Sequence, residues 1–479
     1  MKYRLVVSGF GDRIVSEVLP MLIKEPWVEH IHWIAEAEGR QMPGEGHPKL
    51  TLIDQHQALY PPTMSPTAAS DQLMKDTQAS TLPMMDRLEK HGPSLSPMRR
   101  QQILRRNVDY WVQYIEDHKI NGYIGANTPH EITDYLVAEY LKDKKGAVVR
   151  YFLQWRTDLL LPVTNYRDLG SNRAGRLSEP SDEELTQLAS STESIISVYR
   201  KRERAATDPF YMRKENVNWT EEVAGKRTRR RLLSKIRRLS SLAVLRRGLR
   251  YMFFLVVERR WILPKKDKAV RQQYRDLATA EPNLTVSYVY FALHLQPENT
   301  TSPLGGIYVE QRLAIQRLLD NLPAEVSIYI KENPKQGYIG RGTNYYSKFP
   351  TSDRIKFMPL DFPSITLVTN ALAVATITGT VGLEAIWIPK PVLVFGHVYY
   401  GDAPGVFQVA DVEALRIAIS RILNERWQSP VTPEEFVEQL AHRSICVNVT
   451  DYYHRNGVVR LSTEVTAKRI VDELRAVFD

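Results

Sequence analysis

The sequence predicts an α/β protein with two domains, each built on a parallel sheet. At 479 residues, the chain is long enough for two domains of roughly 100 to 200 residues each plus connecting segments. Apolar strand-like segments alternate with helix-like segments over residues 1–164, and the alternation resumes from residue 285. With 43% hydrophobic and 25% charged residues, the composition is typical of a folded globular protein and excludes a wholly disordered or fibrous chain.

The first domain is expected to span residues 1–164. It opens with an apolar strand over 3–9, which is followed by apolar residues at helical spacing. Residues 41–100 are rich in Pro, Met, Ser and Thr and show weak periodicity, so we expect long loops with short helices there. The remaining predicted elements are a helix over 101–117 and strands over 121–125 and 147–153.

His130 and Asp134 are the candidate catalytic residues of this first domain. Thr128 and Pro129 form a helix start signal, which predicts a helix to about residue 144. His130 would lie in its first turn, where the helix dipole lowers the imidazole pKa and favours a neutral general base. Asp134, four residues on, would share its face and could orient the ring. A capping-region histidine beside an ordinary surface aspartate is the alternative.

Residues 165–275 are expected to form a helical connector or insertion with a strongly basic part. The window 226–250 contains eleven Lys or Arg residues and no acid. Subtracting these eleven cations from the formal net charge of +9 leaves −2, so the basic character belongs to this window alone. Interleaved leucines predict a basic amphipathic helix that can lie on an anionic membrane surface. A nucleic-acid patch and a solvated connector are the alternatives, and we expect no nucleic-acid partner.

The second domain is expected to span residues 276–445, with a C-terminal segment over 446–479. A strand over 285–295 is apolar on both faces, as in a sheet that is covered on both sides. The other predicted elements are helices over 307–321 and 462–478 and strands over 326–330, 373–377 and 392–395.

A turn after the predicted strand 373–377 is the first candidate ligand site. Thr378, Gly379 and Thr380 lead into a helix, so their backbone N–H groups, two hydroxyls and the helix dipole could hold a phosphate. Glu384, about one turn further, could accept hydrogen bonds from ribose hydroxyls. An ordinary strand-to-helix turn capped by threonine explains the same residues equally well.

A loop over 294–306 is the second candidate, because ligands bind where strands of open α/β sheets end. Gly305 and Gly306 permit close backbone approach, and Glu298 could meet a ligand. A third strand end supplies Lys331 as a possible phosphate partner. The alternatives are a plain turn-rich loop and a solvated Lys–Glu pair.

Three segments of the second domain resemble one known family. Residues 290–306 (YFALHLQPENTTSPLGG), 329–334 (YIKENP) and 377–405 are together similar to the capsule polysaccharide biosynthesis family of bacterial glycosyltransferases, which includes transferases of 3-deoxy-manno-octulosonic acid (Kdo). The resemblance implies a GT-B fold, in which two Rossmann-like domains face each other across a cleft. It places the nucleotide sugar on the C-terminal domain, the acceptor on the N-terminal domain, and a final helix crossing back.

The resemblance also implies an activity. It implies a metal-independent transferase that moves Kdo or a related acidic sugar to a growing surface polysaccharide or a lipid-linked acceptor, with no cofactor besides the nucleotide-sugar donor. A CMP-linked donor is favoured. A UDP-linked donor is also possible, because Asn333 stands where related CMP-sugar enzymes have histidine. For such a transfer the candidate catalytic residues are His130, Asp134 and Glu298. The candidate donor-binding residues are Gly305, Gly306, Lys331, Asn333, Thr378, Gly379, Thr380 and Glu384.

Other functions remain open from the sequence. A nucleotide-sugar epimerase or hydrolase of the same architecture is one, and a non-catalytic protein that binds membranes or nucleic acid through the basic window is another. The single cysteine, Cys446, excludes a disulfide framework and suits a reducing compartment. We expect a cytoplasmic protein, without signal peptide or transmembrane span, that is peripheral to the inner membrane.

Overall fold

A computed structural model shows two α/β bodies, which confirms the predicted fold class of two domains with parallel sheets. One sheet has seven strands and the other has six. The predicted basic helix at 226–250 lies outside the described residues. The structure describes residues 1–35, 46–91, 95–156, 158–170, 175–204, 253–279, 281–424, 427–428, 431–448 and 458–478.

The first sheet has the strand order β13-β6-β5-β4-β1-β2-β3. Strands β3, β2, β1, β4 and β5 are parallel, and β6 runs antiparallel to both of its neighbours. Its strands are β1 Tyr3–Ser8, β2 Val28–Ala35, β3 Leu50–Asp54, β4 Gly122–Gly125, β5 Val148–Arg156, β6 Leu159–Val163 and β13 Ile445–Cys446. The helices around it are α1 Asp12–Lys24, α2 Gln55–Ala58, α3 Ala68–Met84, α4 Asp86–His91, α5 Pro97–Asp117, α6 Ile132–Lys142 and α7 Asp182–Arg204.

The second sheet is wholly parallel, with the order β12-β11-β10-β7-β8-β9. Alternate residues of β7 face two different hydrophobic clusters, because Tyr288 and Tyr290 enter one and Val289 and Phe291 the other. Burial on both faces explains why this strand is apolar throughout. The strands are β7 Tyr288–Ala292, β8 Ser327–Lys331, β9 Ile355–Phe357, β10 Ala373–Thr376, β11 Val392–Val394 and β12 Val406–Gln408. The helices are α8 Leu263–Leu277, α9 Gln311–Asn321, α10 Ser364–Asn370, α11 Thr380–Ile386, α12 Val412–Leu423 and α13 Pro433–His442.

The expectation of loops over residues 41–100 is wrong for much of that segment. It contains β3 and the 17-residue helix α3. The buried positions of α3 include Ser70, Thr77 and Thr81, so its inner face is polar and lacks the apolar period that marks a helix in sequence. Two of these hydroxyls bond to backbone within the helix, with Thr77 Oγ1 2.6 Å from the Leu73 carbonyl and Thr81 Oγ1 2.8 Å from the Thr77 carbonyl.

The predicted helix start at Thr128 is also wrong, because α6 begins at Ile132. The Thr128 N–H donates to the side chain of Asn127 at 2.8 Å, which holds the chain in a turn. The carboxylate of Asp134 accepts the N–H of Glu131 at 2.9 Å and so caps the helix instead. His130 therefore lies before the helix rather than in its first turn.

The chain returns to the first domain at its C-terminal end. Strand β13 pairs with β6, and the last helix, α14 Thr463–Phe478, packs against α1. Phe478 stacks on Trp27 with ring centroids 4.6 Å apart, and Arg475 forms an ion pair with Glu25 at 2.6 Å. Residues 445–448 and 458–478 thus complete the first domain.

The predicted connector 165–275 is divided between the two domains. Helix α7 packs on α13 and β13, whereas α8 buries Val270 and Tyr274 in the core of the second domain. The two bodies also touch directly, because Tyr199 of α7 stacks on Trp387 with ring centroids 5.5 Å apart.

Candidate functional site

Three loops meet at one edge of the second sheet, because β10, β7 and β8 are parallel neighbours. The buried imidazole of His294, after β7, joins two of them. Its Nε2 accepts the N–H of Thr378 at 2.9 Å and lies 3.3 Å from the hydroxyl of Thr376. Burial and the nearby Arg341 lower the pKa of His294 to about 3. The ring is therefore neutral, with its proton on Nδ1.

The expectation that Thr378 and Gly379 offer free N–H groups to a phosphate is wrong. The Thr378 N–H is bound by His294, and the Gly379 N–H donates to the hydroxyl of Thr376 at 3.0 Å. The Thr378 hydroxyl donates to the carbonyl of Thr300. These two residues connect the loops of the site, while Thr380 is the first residue of α11.

Gly305 and Gly306 differ in what they approach. A Cβ on Gly305 would lie 2.6 Å from the Thr301 carbonyl oxygen and 2.9 Å from a methyl of Ile377, so the close approach there is to protein atoms. Gly306 has a φ of +53°, and a Cβ there would have no atom within 4 Å. Of the two predicted glycines, only Gly306 faces open space.

Lys331 and Glu384 come from separate motifs, and both lie near the hydrogen-bonded pair Ser364 and Tyr290. The ammonium of Lys331, at the end of β8, donates to the Ser364 hydroxyl at 2.9 Å. Ser364 hydrogen-bonds Tyr290, and burial together with the Glu384 carboxylate raises the pKa of Tyr290 above its usual value. A cation and a carboxylate thus stand beside one pair of hydroxyls.

The alternative of a solvated Lys–Glu pair at 331–332 is wrong. Lys331 is 8% exposed and Glu332 is 4% exposed. Glu332 is bound by Arg341 at 3.0 Å and by the hydroxyl of Tyr346 at 2.7 Å. Asn333 uses its side-chain oxygen to accept the Lys335 N–H at 3.0 Å, so it shapes the turn after β8.

In the first domain, a backbone carbonyl orients His130 in place of Asp134. Its Nδ1 lies 2.7 Å from the carbonyl oxygen of Thr128, which fixes the proton on Nδ1 and leaves Nε2 as the basic nitrogen. Burial and the charge of Arg87 lower the pKa of His130 to about 4. Burial and the nearby Glu131 raise the pKa of Asp134 to about 8. At neutral pH the imidazole is therefore uncharged, and Asp134 carries its proton.

Arg87 connects the candidate residues of the two domains, and the sequence analysis missed it. Its guanidinium donates to the carbonyl of His130 through Nη1 and to that of Ser302, in the second domain, at 3.1 Å through Nη2. Burial lowers the pKa of Arg87, and the charges of Glu131, Asp134 and Glu298 act against that shift. Glu298 is thus brought near the first-domain residues with which it was predicted to act. No sequence signal marked Arg87, because it lies in the segment expected to be loops.

A second contact joins the domains near the end of the segment 377–405. A Cβ on Gly170 would lie 2.5 Å from the Val398 carbonyl oxygen. The two backbone segments therefore approach so closely that only glycine fits at this position. Burial and the charge of Arg167 lower the pKa of the adjacent His397. The strand-end loops of the second domain therefore face the first domain at two separate places.

Two further observations apply to the described part of the chain. It contains no group of three or more His, Cys, Asp or Glu side chains arranged to hold a metal ion. None of the helices described there is long and apolar enough to cross a membrane.

Comparison with known proteins bears on the loops described above. Residues 299–421 match the family model of the capsule polysaccharide biosynthesis protein. This stretch begins in the loop after β7 and ends in α12, so it contains the loops that carry Gly306, Lys331 and Glu384. Over this segment the chain is similar to the capsule polysaccharide biosynthesis family, which confirms the resemblance. No curated protein matches the chain in sequence.

Solved structures that match the chain share little sequence with it. The β-Kdo 2,7-transferase KpsC of Thermosulfurimonas dismutans is 12% identical, with 86% of this chain and 98% of that chain covered and a TM-score of 0.30. The UDP-GlcNAc 2-epimerase of Methanocaldococcus jannaschii is 12% identical, with 92% and 98% covered and a TM-score of 0.26. The trehalose-6-phosphate synthase OtsA is 9% identical, with 99% of both chains covered and a TM-score of 0.25.

Proposed function

We propose that the protein is a glycosyltransferase that moves a sugar from a nucleotide-activated donor to a growing surface polysaccharide or a lipid-linked glycan. The observation that carries the proposal is the position of the family match. Its residues, 299–421, supply strand-end loops that meet at one sheet edge and face the first domain. That edge is where open α/β sheets bind nucleotides.

The second domain holds the donor in this proposal. The Lys331 ammonium neutralises phosphate charge, and Glu384 accepts hydrogen bonds from ribose hydroxyls. Because Lys331 supplies the positive charge that a leaving phosphate needs, we propose that transfer requires no metal ion. A CMP-linked acidic sugar such as Kdo remains the favoured donor, with a UDP-linked sugar second.

The first domain provides the acid–base chemistry. The bond between the anomeric carbon and the donor phosphate oxygen breaks, and a bond from that carbon to the acceptor oxygen forms. The Nε2 of His130 accepts the proton of the acceptor hydroxyl, and the Glu298 carboxylate stabilises positive charge that develops on the sugar. Asp134, protonated at neutral pH, can donate a hydrogen bond to the reacting sugar.

We also propose that an anionic membrane surface on the cytoplasmic side is a partner, through the basic window 226–250. Support comes from the described residues that follow this window along the chain. Phe253 and Trp261 are 52% and 61% exposed, and the cations Arg260 and Lys265 are exposed near Trp261 in sequence. Exposed apolar side chains flanked by cations fit the interface of an anionic bilayer.

The donor site is tested by the thermal stability of the protein with CMP, UDP, GDP and TDP. A nucleotide present at 100 times its dissociation constant adds roughly 2.7 kcal/mol to the free energy of unfolding. We expect stabilisation by CMP or UDP, and we expect Lys331→Ala and Glu384→Ala each to weaken that nucleotide by about 1 to 3 kcal/mol in calorimetry.

Lys335→Ala is the matched control. Lys335 lies on the same loop as Lys331, but its described hydrogen bond is made by the backbone N–H, which donates to Asn333. Wild-type nucleotide affinity in both the Lys331 and Glu384 variants would show that the nucleotide does not bind at this edge of the sheet. Added EDTA should leave transfer unchanged.

A further inference from the structure

The guanidinium of Arg87 forms a fork between the two domains. One arm donates to the backbone carbonyl of His130, and the other donates to the backbone carbonyl of Ser302 at 3.1 Å. The Ser302 hydroxyl in turn donates to the carbonyl of Ser80, in α3, at 2.8 Å. The loop that follows β7 is therefore held against α3 and α4 of the first domain by two hydrogen bonds.

Arg87 is a partly buried cation whose charge is influenced by acidic residues of both domains. Burial acts against its charge, and the charges of Glu131 in the first domain and Glu298 in the second act to retain it, whereas Asp134 carries its proton at neutral pH. A partly buried cation is retained only where such partners offset the loss of hydration. Arginine also suits the position because its planar fork reaches two acceptors at once, which a lysine ammonium on a flexible stem does less well.

We propose that Arg87 is a positioning residue that holds His130 and the Glu298-bearing loop in one fixed arrangement across the domain boundary. Arg87 acts through His130, whose ring is fixed at Nδ1 by Thr128 and whose peptide is fixed by the guanidinium. It acts equally on Glu298, which lies on the loop that Arg87 anchors at Ser302. A displacement of about 1 Å between reacting groups can cost about 10²-fold in rate.

The kinetic part of this inference rests on the proposed transferase function. Arg87→Ala is expected to lower kcat about 10- to 100-fold and to leave the dissociation constant of the nucleotide within about twofold of wild type, because the hydrogen bonds described for Arg87 go to the carbonyls of His130 and Ser302 and not to the proposed donor-binding groups. Arg87→Lys is expected to lower kcat as well, since one ammonium does not span both carbonyls. Added guanidinium ion should restore part of the activity of Arg87→Ala but not of Arg87→Lys.

Arg100→Ala is the matched control. Arg100 lies nearby and likewise binds a backbone carbonyl, that of Leu82 at 3.1 Å, and an acid, Asp86 at 2.7 Å. These contacts stay within the first domain. Arg100→Ala is therefore expected to change stability without changing kcat, and an equal loss of kcat in Arg87→Ala and Arg100→Ala would reduce Arg87 to a general structural role.

A readout independent of activity is the NMR titration of the His130 imidazole, assigned by its absence in His130→Gln. Burial, the charge of Arg87 and the Thr128 carbonyl act on this ring, while the acids Glu131, Asp134 and Glu298 act on Arg87. Loss of the cation is expected to raise the pKa of His130 in Arg87→Ala, whereas Arg87→Lys keeps the charge and the low pKa. An unchanged titration in Arg87→Ala together with wild-type kcat would overturn the inference. If the wild-type protein transfers no sugar, the proposed function fails, and the titration still tests Arg87.

Discussion

The imidazole of His294 joins two loops that the sequence presents as separate motifs. Its Nε2 receives the Thr378 N–H, and its own backbone N–H and carbonyl bind the side chain of Gln311 at 2.8 and 3.1 Å. The residue types and their places at strand ends were predictable. Which of their polar groups would face a ligand and which would bind a neighbouring loop was not predictable. That depends on distances between segments that lie far apart in sequence.

A second buried histidine, His32, makes the stability of the first domain depend on pH. The rings of His30 and His118 lie 4.8 and 5.2 Å from it. Its Nδ1 lies 2.9 Å from the hydroxyl of Tyr114, and its buried Nε2 has no hydrogen-bond partner in the described part of the chain. Burial first, and then the neighbouring histidines, lower the pKa of His32 to about 3.

Acid should therefore destabilise the fold through this residue. The unfolded chain takes up a proton on His32 near pH 6.5, whereas the folded protein resists it down to about pH 3. The contribution of His32 to stability is complete above pH 6.5 and is lost as the pH falls from there toward 3. Urea unfolding at pH 7, 6, 5 and 4 should show a smaller loss of free energy in His32→Gln, by about 1 kcal/mol per pH unit below 6. Parallel curves for both proteins would contradict this account.

At the scale of elements, the sequence analysis succeeded where apolar residues mark both faces of a strand. Strands β4, β5, β8, β10 and β11 lie within a few residues of their predicted positions. It failed for α3, whose inner face carries Ser70, Thr77 and Thr81, and for the start of α6, where the N-cap is Glu131 and Asp134 accepts its N–H. Both failures concern polar side chains that serve structure, which a periodicity of apolar residues does not reveal. Arg87 was missed for the same reason.

Phe253 and Trp261, which lie just before and within the helical segment Phe254–Ile262, are the side chains expected to meet the membrane. Phe253→Ser combined with Trp261→Ser should weaken binding to vesicles of anionic phosphatidylglycerol about 10-fold or more, because each apolar side chain buried in the interface contributes roughly 1.5 to 3 kcal/mol. Ile417→Ser removes an equally exposed apolar residue of α12 and serves as the control, since Ile417 is 53% exposed.

Co-sedimentation with vesicles measures this directly. Binding to anionic vesicles should also weaken with added salt and after replacement of Arg229, Arg230, Arg231, Arg237 and Arg238 by Gln. Equal sedimentation with neutral and anionic vesicles would remove the membrane from the proposal, and tight binding to duplex DNA would point to nucleic acid instead.

At the scale of the whole molecule, the two domains are joined in ways that bring distant motifs together. The chain crosses from the first domain to the second and returns through β13 and α14, and Arg87, Gly170 and Tyr199 contact the second domain directly. The two sheets were predicted from alternating strands and helices. The partners of each interdomain contact were not, because they lie more than 180 residues apart.

The donor loops of the second domain and His130 of the first are proposed to act on one sugar. The most direct measurement is mass spectrometry of products formed from CMP- and UDP-linked sugars with and without a glycan acceptor. We predict an acceptor product heavier by one sugar residue, with free nucleotide released in equal amount, and about 10²- to 10⁴-fold slower formation by His130→Ala at unchanged nucleotide affinity. Conversion of the donor at the same rate without acceptor, or wild-type turnover by His130→Ala, would contradict the account.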